Sequence, residues 1–536
     1  MNESKNQFDA LVIGSGPSGV SCAKAILQQG LSVGLIDVGI KLEPEKQKTV
    51  DRLFDLPFER WTAEDYAGLK KGFEVKFLRL PSKYVFGSNF AYRNPGIIES
   101  NEEDCHFDLS FARGGLSTAW GAAILPYRKE DVDDWPFPLS RLEPHYGKVA
   151  DLMKVMGETD GLAGDFPLFV HQPNSLRLSA QAGVILARLS QNAGHLKGNG
   201  FSFGRSRLAF NKEPFAHHRG CVYCECCLYG CPLRLIYSSE STLAELETNT
   251  RFQYCPGLVA TKFEEDAGGV TLHCQSPDGG PEITFRAGRL FVACGAISSA
   301  ALLARSLGLW DEVFTIRDSA YFLLPALIQA PVLGFVRGNS VALAQLFLEL
   351  MAPAICSRSI HMQVYTYNDL YEKILGLPGW WLRNLFRRLN DLLFSRFVLI
   401  QGFLHSDVSP GARLQFRCVN DRLACSITGE TSDNASTVLR RLLSLLQKEK
   451  KATLLWPLGL ALRRANIGRS FHSGSIFPMS NQPHGHESDL YGRAMGLLRV
   501  HLVDASVLPS VPGTTITFSV MANAHRIGTE AWQLSP

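Results

Sequence analysis

The chain lacks an excess of charge of either sign. Its 54 Lys and Arg stand against 51 Asp and Glu, a net charge of +3 over 536 residues. A protein that coats nucleic acid carries a strong basic surplus, and none is present. A clean membrane span is also missing. Residues 319–336 carry no charge, but two prolines, a glutamine and a glycine interrupt them, a pattern of buried strands rather than of a spanning helix. No short-period repeat and no long low-complexity segment occurs. With 20% charged and 46% hydrophobic residues, wholesale disorder is excluded. Cysteine, 13 in all, is too sparse for a disulfide scaffold, and five of the 13 lie between Cys221 and Cys231. That distribution reads as a reducing compartment with one metal or redox site. The N-terminus has no basic stretch followed by a cleavable apolar segment, so a cytoplasmic protein is expected.

Several segments carry chemistry. Residues 8–13 (FDALVI) read as a buried strand, followed by Gly14-Ser-Gly16-Pro-Ser-Gly19, a helical stretch and a second strand ending at Asp37. This is a βαβ unit with Gly-x-Gly-x-x-Gly in the required context. Gly14 permits the tight turn, Gly16 lets backbone approach a pyrophosphate, Gly19 lets helix pack on strand, and Asp37 can accept from a ribose diol. The turn alone does not choose between NAD and FAD. Further on come Arg113-Gly-Gly-Leu-Ser-Thr-Ala-Trp-Gly121 and Asp134-Trp135-Pro136. Residues 290–294 (LFVAC) then lead into Gly295-Ala-Ile-Ser-Ser, and Val503-Asp504-Ala-Ser precedes the segment Pro512 to Ile527.

Taken in order, these elements resemble the glucose–methanol–choline (GMC) oxidoreductase superfamily. The resemblance covers the FAD-binding parts, about half the chain, and says little about residues 311–464. It implies an α/β fold: an FAD-binding, Rossmann-like domain assembled from residues 1–310 and 465–536, and a substrate domain with an antiparallel sheet over residues 311–464. It implies that Gly14, Gly16, Gly19 and Asp37 hold the ADP half of FAD, that Gly114, Gly115 and Ser117 lie against the flavin, and that Asp504 approaches the pyrophosphate or ribityl chain. Trp120 departs from the family, where many members carry Asn or His.

His472, in Arg469-Ser-Phe-His472-Ser-Gly, stands where the family has its catalytic base. Oxidising an alcohol moves a hydride to the flavin and removes the hydroxyl proton. A neutral imidazole, with an ordinary pKa of about 6.5, can take that proton near neutral pH. The family's second polar partner, His or Asn, falls on Thr515, with Thr514 beside it. Threonine can hydrogen-bond a substrate oxygen but is no general base, so His472 is expected to do the proton work alone. His484, His486 and His501 read as surface or supporting residues.

Cys221, Cys224, Cys227 and Cys231, followed by Pro232, match the C-x2-C-x2-C-x3-C-P spacing of bacterial ferredoxins. Three readings follow: an iron–sulfur cluster, structural zinc, or thiols that hold nothing. A cluster would pass electrons from the flavin to a protein or quinone acceptor, and its absence would leave oxygen as acceptor. Residues 380–397 have amphipathic helical spacing with aromatic and arginine positions. That composition suits either a helix packed on its own domain or peripheral contact with a membrane. The expected function is FAD-dependent oxidation of an alcohol, a sugar or sugar conjugate among the candidates, by a dehydrogenase or oxidase. The alternatives are an FAD-dependent isomerase or reductase, and a non-catalytic electron-relay flavoprotein. No nucleic-acid partner is expected.

Overall fold

The computed structural model describes residues 6–71, 83–170, 172–212, 220–370, 387–419, 422–432 and 434–533. Its first layer grows from strand β1 (Gln7–Ile13), helix α1 (Pro17–Leu27) and strand β2 (Val33–Asp37). β1 is an apolar run flanked on both sides by parallel neighbours, which is why Ala10, Leu11 and Val12 are fully buried. β2 pairs outward with strand β3 (Phe252–Pro256), and on its other side β1 pairs with strand β4 (Ile283–Val292), in all cases parallel. The far edge of β4 is shared by Gly269–Gln275, antiparallel, and Val500–Leu502, parallel. Residues some 490 positions apart in the chain therefore build one sheet.

Helix α2 (Ala296–Leu307) follows β4, and helix α3 (Thr517–Glu530) lies against α1. The α1–α3 contact is intimate. Ser21 Oγ donates to the Met521 carbonyl at 2.8 Å, and a Cβ on Gly528 would meet the Cys22 carbonyl oxygen at 2.9 Å.

The second domain is built on an antiparallel sheet in the order Leu455–Pro457, Tyr321–Ile328, Phe397–Leu404, Ile360–Tyr365, Leu346–Leu350, Phe201–Arg205. The last strand comes from outside residues 311–464. Two-residue alternation gives this sheet unlike faces. Ile360, Met362 and Val364 join Ile185 and Leu189 of helix Ala180–Gln191, and Leu439 and Leu442 of helix Asn434–Lys448, in one apolar core. Part of the uncharged stretch 319–336 is strand Tyr321–Ile328, and among the described residues no helix is long and apolar enough to cross a membrane. Of the amphipathic stretch 380–397, residues 380–386 lie outside the described residues; Arg387–Phe394 is helical and Phe397 begins a strand.

A third sheet joins the two halves: Ser473–Gly474, Val313–Asp318, Ala412–Val419, Arg422–Gly429, Glu99–Glu103. Its first strand lies directly beyond His472.

Candidate active site

β1, β2 and β4 run parallel and end on the same edge, where α/β sheets bind their ligands. Gly14, Asp37 and Gly295 stand just at or beyond those ends and line a cavity of about 730 Å³, within the roughly 300–1,000 Å³ typical of small-molecule sites. The turn needs its glycines. Gly14 has a φ of +98°, and a Cβ on Gly19 would fall 1.9 Å from the Gly14 carbonyl oxygen. A Cβ on Gly16 would meet nothing within 4 Å, so its backbone is the open approach. Asp37 is buried, and its Oδ2 accepts from Ser15 Oγ and, at 3.0 Å, from Tyr254 OH. Burial pushes its pKa up to about 6, against the pull of those donors and of Arg113. Open backbone at a helix N-terminus with an acid on the neighbouring strand fits the ADP half of a dinucleotide.

The second glycine-rich segment is locked onto this turn. The Gly114 N–H donates to Ser15 Oγ at 2.9 Å, and a Cβ on Gly115 would meet Gly16 Cα at 3.1 Å. Gly115 lines the cavity. Ser117 faces the protein: its hydroxyl donates to the Gly114 carbonyl at 2.6 Å and accepts from the Ser239 N–H at 2.9 Å. Asp504 is likewise occupied by protein donors. It accepts from the Gly295 N–H at 2.9 Å, from Ser299 Oγ and from the Ser506 N–H at 2.9 Å. Asp504 thus fixes the Gly295 turn, and Gly295 is the residue that lines the cavity.

The cavity extends to Gly468, Phe471 and Ser473; the last two are the chain neighbours of His472, which does not itself line it. Burial pulls the His472 pKa down to about 3, with a smaller push from His361. The ring is therefore neutral across the physiological range. Its Nδ1 is buried and has no hydrogen-bond partner, and its ring centroid lies 4.5 Å from that of Phe403. The loop is held from below by a residue that sequence reasoning missed. Asp318 accepts from the Gly468 N–H at 3.0 Å, from Ser470 Oγ at 2.7 Å and from Ser473 Oγ at 2.6 Å. The Ser319 N–H donates to the His472 carbonyl at 3.0 Å. The available signal was an acid on the buried side of an alternating strand, together with serines flanking the histidine.

Asp318 is thus a positioning residue. Asp318→Ala is expected to destabilise the fold by about 2–4 kcal/mol, because it strands several buried donors; denaturant unfolding measures this. Asp318→Asn keeps one acceptor. It is expected to retain FAD while slowing flavin reduction about tenfold, by stopped-flow absorbance, through misplacement of the imidazole.

Thr515 and Thr514 are both buried, and they differ in what their hydroxyls do. Thr515 Oγ1 accepts from the Leu125 N–H at 3.0 Å, whereas Thr514 Oγ1 has no partner. Of the two, Thr514 has the unspent hydroxyl. His501 is buried as well, with Nδ1 2.9 Å from the Tyr491 carbonyl, while His486 pairs with Glu312.

In the cysteine loop, Cys224 forms an isolated parallel bridge with Ser340. Cys226 and Cys227 are buried, while Cys221, Cys224 and Cys231 are partly so. Among the described residues, however, no three His, Cys, Asp or Glu side chains gather into a group that could hold a metal ion. Left-handed backbone at Tyr223 and Glu225 (φ 58° and 57°) turns the chain between the cysteines.

No family model matches the chain. It is 27% identical over 309 residues to a 6'''-hydroxyparomomycin C oxidase of Streptomyces lividus, covering 56% of this chain and 50% of that protein. It is 24% identical to a paromamine 6'-oxidase of Streptomyces fradiae over 97% of this chain and 90% of that protein. The chain thus spans half the length of the first of these relatives and nearly all of the second. Its fold is similar to that of pyridoxine 4-oxidase from Mesorbium loti, with a TM-score of 0.59 at 13% identity, covering 98% of this chain and 100% of that one. Formate oxidase gives a TM-score of 0.61 at 12% identity, covering 98% of each chain. With the glycine turn, the sheet assembled from distant segments and the second, antiparallel sheet in place, the chain has a mixed α/β fold similar to that of these two oxidases.

Proposed function

We propose that the chain is an FAD-dependent oxidoreductase that oxidises a sugar-type alcohol, with His472 taking the hydroxyl proton. The observation that carries this reading is one cavity running from Gly14, Gly16 and Asp37 to Phe471 and Ser473, the chain neighbours of His472. Bound FAD supplies the hydride acceptor. The chain supplies the rest. The N-terminus of α1 would hold the pyrophosphate, and Asp37 would accept from the ribose. His472, neutral and with an unpartnered Nδ1, accepts a proton from the substrate hydroxyl. Sequence relatives named 6'''-hydroxyparomomycin C oxidase and paromamine 6'-oxidase support the substrate class and favour oxygen over a protein or quinone acceptor. No electron route is assigned to the cysteine loop.

The pH dependence tests the role of His472. A base with an ordinary pKa loses activity as pH falls through about 6.5. Here the folded-state pKa is depressed, so the neutral form persists until pH approaches 3. The rate of anaerobic flavin reduction is expected to stay flat on the acid side from about pH 8 down to about pH 5. An acid limb centred near 6.5 that disappears in a His472 variant would show that this imidazole is not held neutral by burial.

A further inference from the structure

Exposed apolar surface is gathered at one corner of the substrate-domain sheet. Among the described residues, fourteen large hydrophobic side chains are exposed, and seven of them belong to three segments: Leu333 and Val336, Leu392 and Leu393, and Trp456, Leu458 and Leu460. The backbone brings these segments together around the end of strand Tyr321–Ile328. On one side, Ile328 pairs with Leu455 and Leu327 with Trp456. On the other, the Ile328 N–H donates to the Arg396 carbonyl at 2.7 Å, and the Val332 N–H donates to Ser395 Oγ at 3.3 Å. Exposed leucines scattered singly need no explanation, but a group of this size in one place marks an interaction surface.

The most prominent of these side chains is presented by a fixed turn. Leu460 is 98% exposed at the middle of the short helical turn Gly459–Ala461. The turn is packed down on helix Asn434–Lys448, where a Cβ on Gly459 would meet Leu443 Cδ2 at 2.8 Å. Arg463 Nη1 donates to the Leu460 carbonyl at 3.0 Å and holds the turn from its far side.

The surroundings carry charge of one sign. Residues 434–468 hold seven Lys and Arg and one acid, Glu449, and that acid is buried and paired with His195. The chain as a whole is nearly balanced, 54 against 51, so the surplus is local. The bases bracket the turn. Lys450 Nζ lies 4.6 Å from the centroid of the Trp456 ring. Arg464 donates to Ser436 Oγ at 3.3 Å, and Arg440, one helical turn beyond Ser436, is exposed. An apolar tip with a basic rim is suited to the interface of an anionic bilayer. A second copy of the chain fits this corner poorly, because a two-fold contact would press like charges together.

We propose that this corner docks on a membrane surface of anionic phospholipid, with Leu458 and Leu460 entering the headgroup region and the surrounding bases meeting lipid phosphates. The contact is peripheral, and it stands apart from the oxidation reading above.

The test sediments the purified full chain with vesicles of phosphatidylcholine alone and of phosphatidylcholine with an equal part of phosphatidylglycerol, at about 0.1 M and about 0.5 M NaCl. Leu460→Glu, Leu460→Ser and Arg440→Glu are run beside it, and thermal melting confirms that each folds. Wild type is expected to bind the mixed vesicles at least about tenfold more strongly than the neutral ones, and to lose most of that preference at the higher salt. Leu460→Ser is expected to weaken binding about threefold and Leu460→Glu about tenfold. Arg440→Glu is expected to weaken binding to the mixed vesicles alone, by about threefold.

Wild type that stays in solution with both vesicles overturns the proposal. Equal binding to both vesicles also overturns it, as does binding that neither Leu460 variant reduces. A wild-type dimer that Leu460→Glu dissociates, with no binding to vesicles, overturns it and assigns the corner to a second copy of the chain.

Discussion

Replacing His472 by alanine is expected to slow substrate-driven flavin reduction by about 10²- to 10⁴-fold, the range for losing a positioned general base, with FAD still bound. The expectation rests on the separation of two jobs in the loop. Its shape is held by Asp318 through Gly468, Ser470 and Ser473 and by the Ser319 bond to the His472 carbonyl, none of which uses the imidazole. The ring contributes packing against Phe403 and a nitrogen with no protein partner. Truncation leaves a gap beside Phe403 that costs stability of about 2–4 kcal/mol. It removes the imidazole without touching the glycine turn at the carboxyl ends of β1, β2 and β4. Added imidazole is expected to restore part of the rate, which a merely collapsed loop would not allow. A rate within about twofold of wild type, in a variant with stoichiometric FAD, removes His472 from the mechanism.

Gly19→Ala is expected to lower FAD affinity by more than tenfold and to yield protein that purifies largely without flavin. The physical reason is a single contact. The new Cβ would sit 1.9 Å from the Gly14 carbonyl oxygen and 3.4 Å from Ala293 Cβ. Backbone carbonyls do not yield like the ends of flexible side chains, so either the helix lifts from the strand or the turn opens. Gly14 cannot absorb the displacement freely, since its own Cβ position meets the Ala293 carbonyl oxygen at 2.5 Å. Both changes move the N-terminus of α1 away from where a pyrophosphate must lie. Flavin-to-protein absorbance ratios and FAD titration of the apoprotein check this. Gly16→Ala, whose Cβ points into open space, is expected to fold normally and to weaken FAD only through crowding of the cofactor; full flavin occupancy in Gly19→Ala would contradict the account of the turn.

The parts of this architecture that were legible in the sequence are those fixed by local chemistry. A turn that tolerates no side chain at Gly14 and Gly19 announces itself, and Asp37 follows at the end of the next strand. The ordered glycine segments pointed to the fold. What could not be read was set by pairing over long distances. Phe201–Arg205 adds to the substrate sheet beside Leu346–Leu350, and Glu99–Glu103 pairs in parallel with Arg422–Gly429; neither has a local signal for its partner.

Side-chain roles were also redistributed by context. Asp504 and Ser117, expected against the cofactor, hydrogen-bond Gly295 and Gly114, and Gly295 and Gly115 line the cavity. Thr515 is spent on the Leu125 backbone, so its neighbour keeps the unpaired hydroxyl. The cysteine spacing, a strong one-dimensional pattern, does not gather into a metal-holding group among the described residues, because ligand geometry depends on how the loop turns and not on spacing alone. Asp318 was invisible for a related reason: an acid at the end of a strand earns its role only when a loop more than 150 residues later lands on it.

The most direct measurement of the central claim is anaerobic titration of the wild-type flavoprotein, with its visible flavin absorbance followed against paromamine, simple hexosides, monohydric alcohols and NAD(P)H in turn. The account predicts that a hydroxyl-bearing substrate bleaches the bound flavin and that air restores it. A flavin that stays oxidised with every alcohol but is bleached by NAD(P)H would contradict the account.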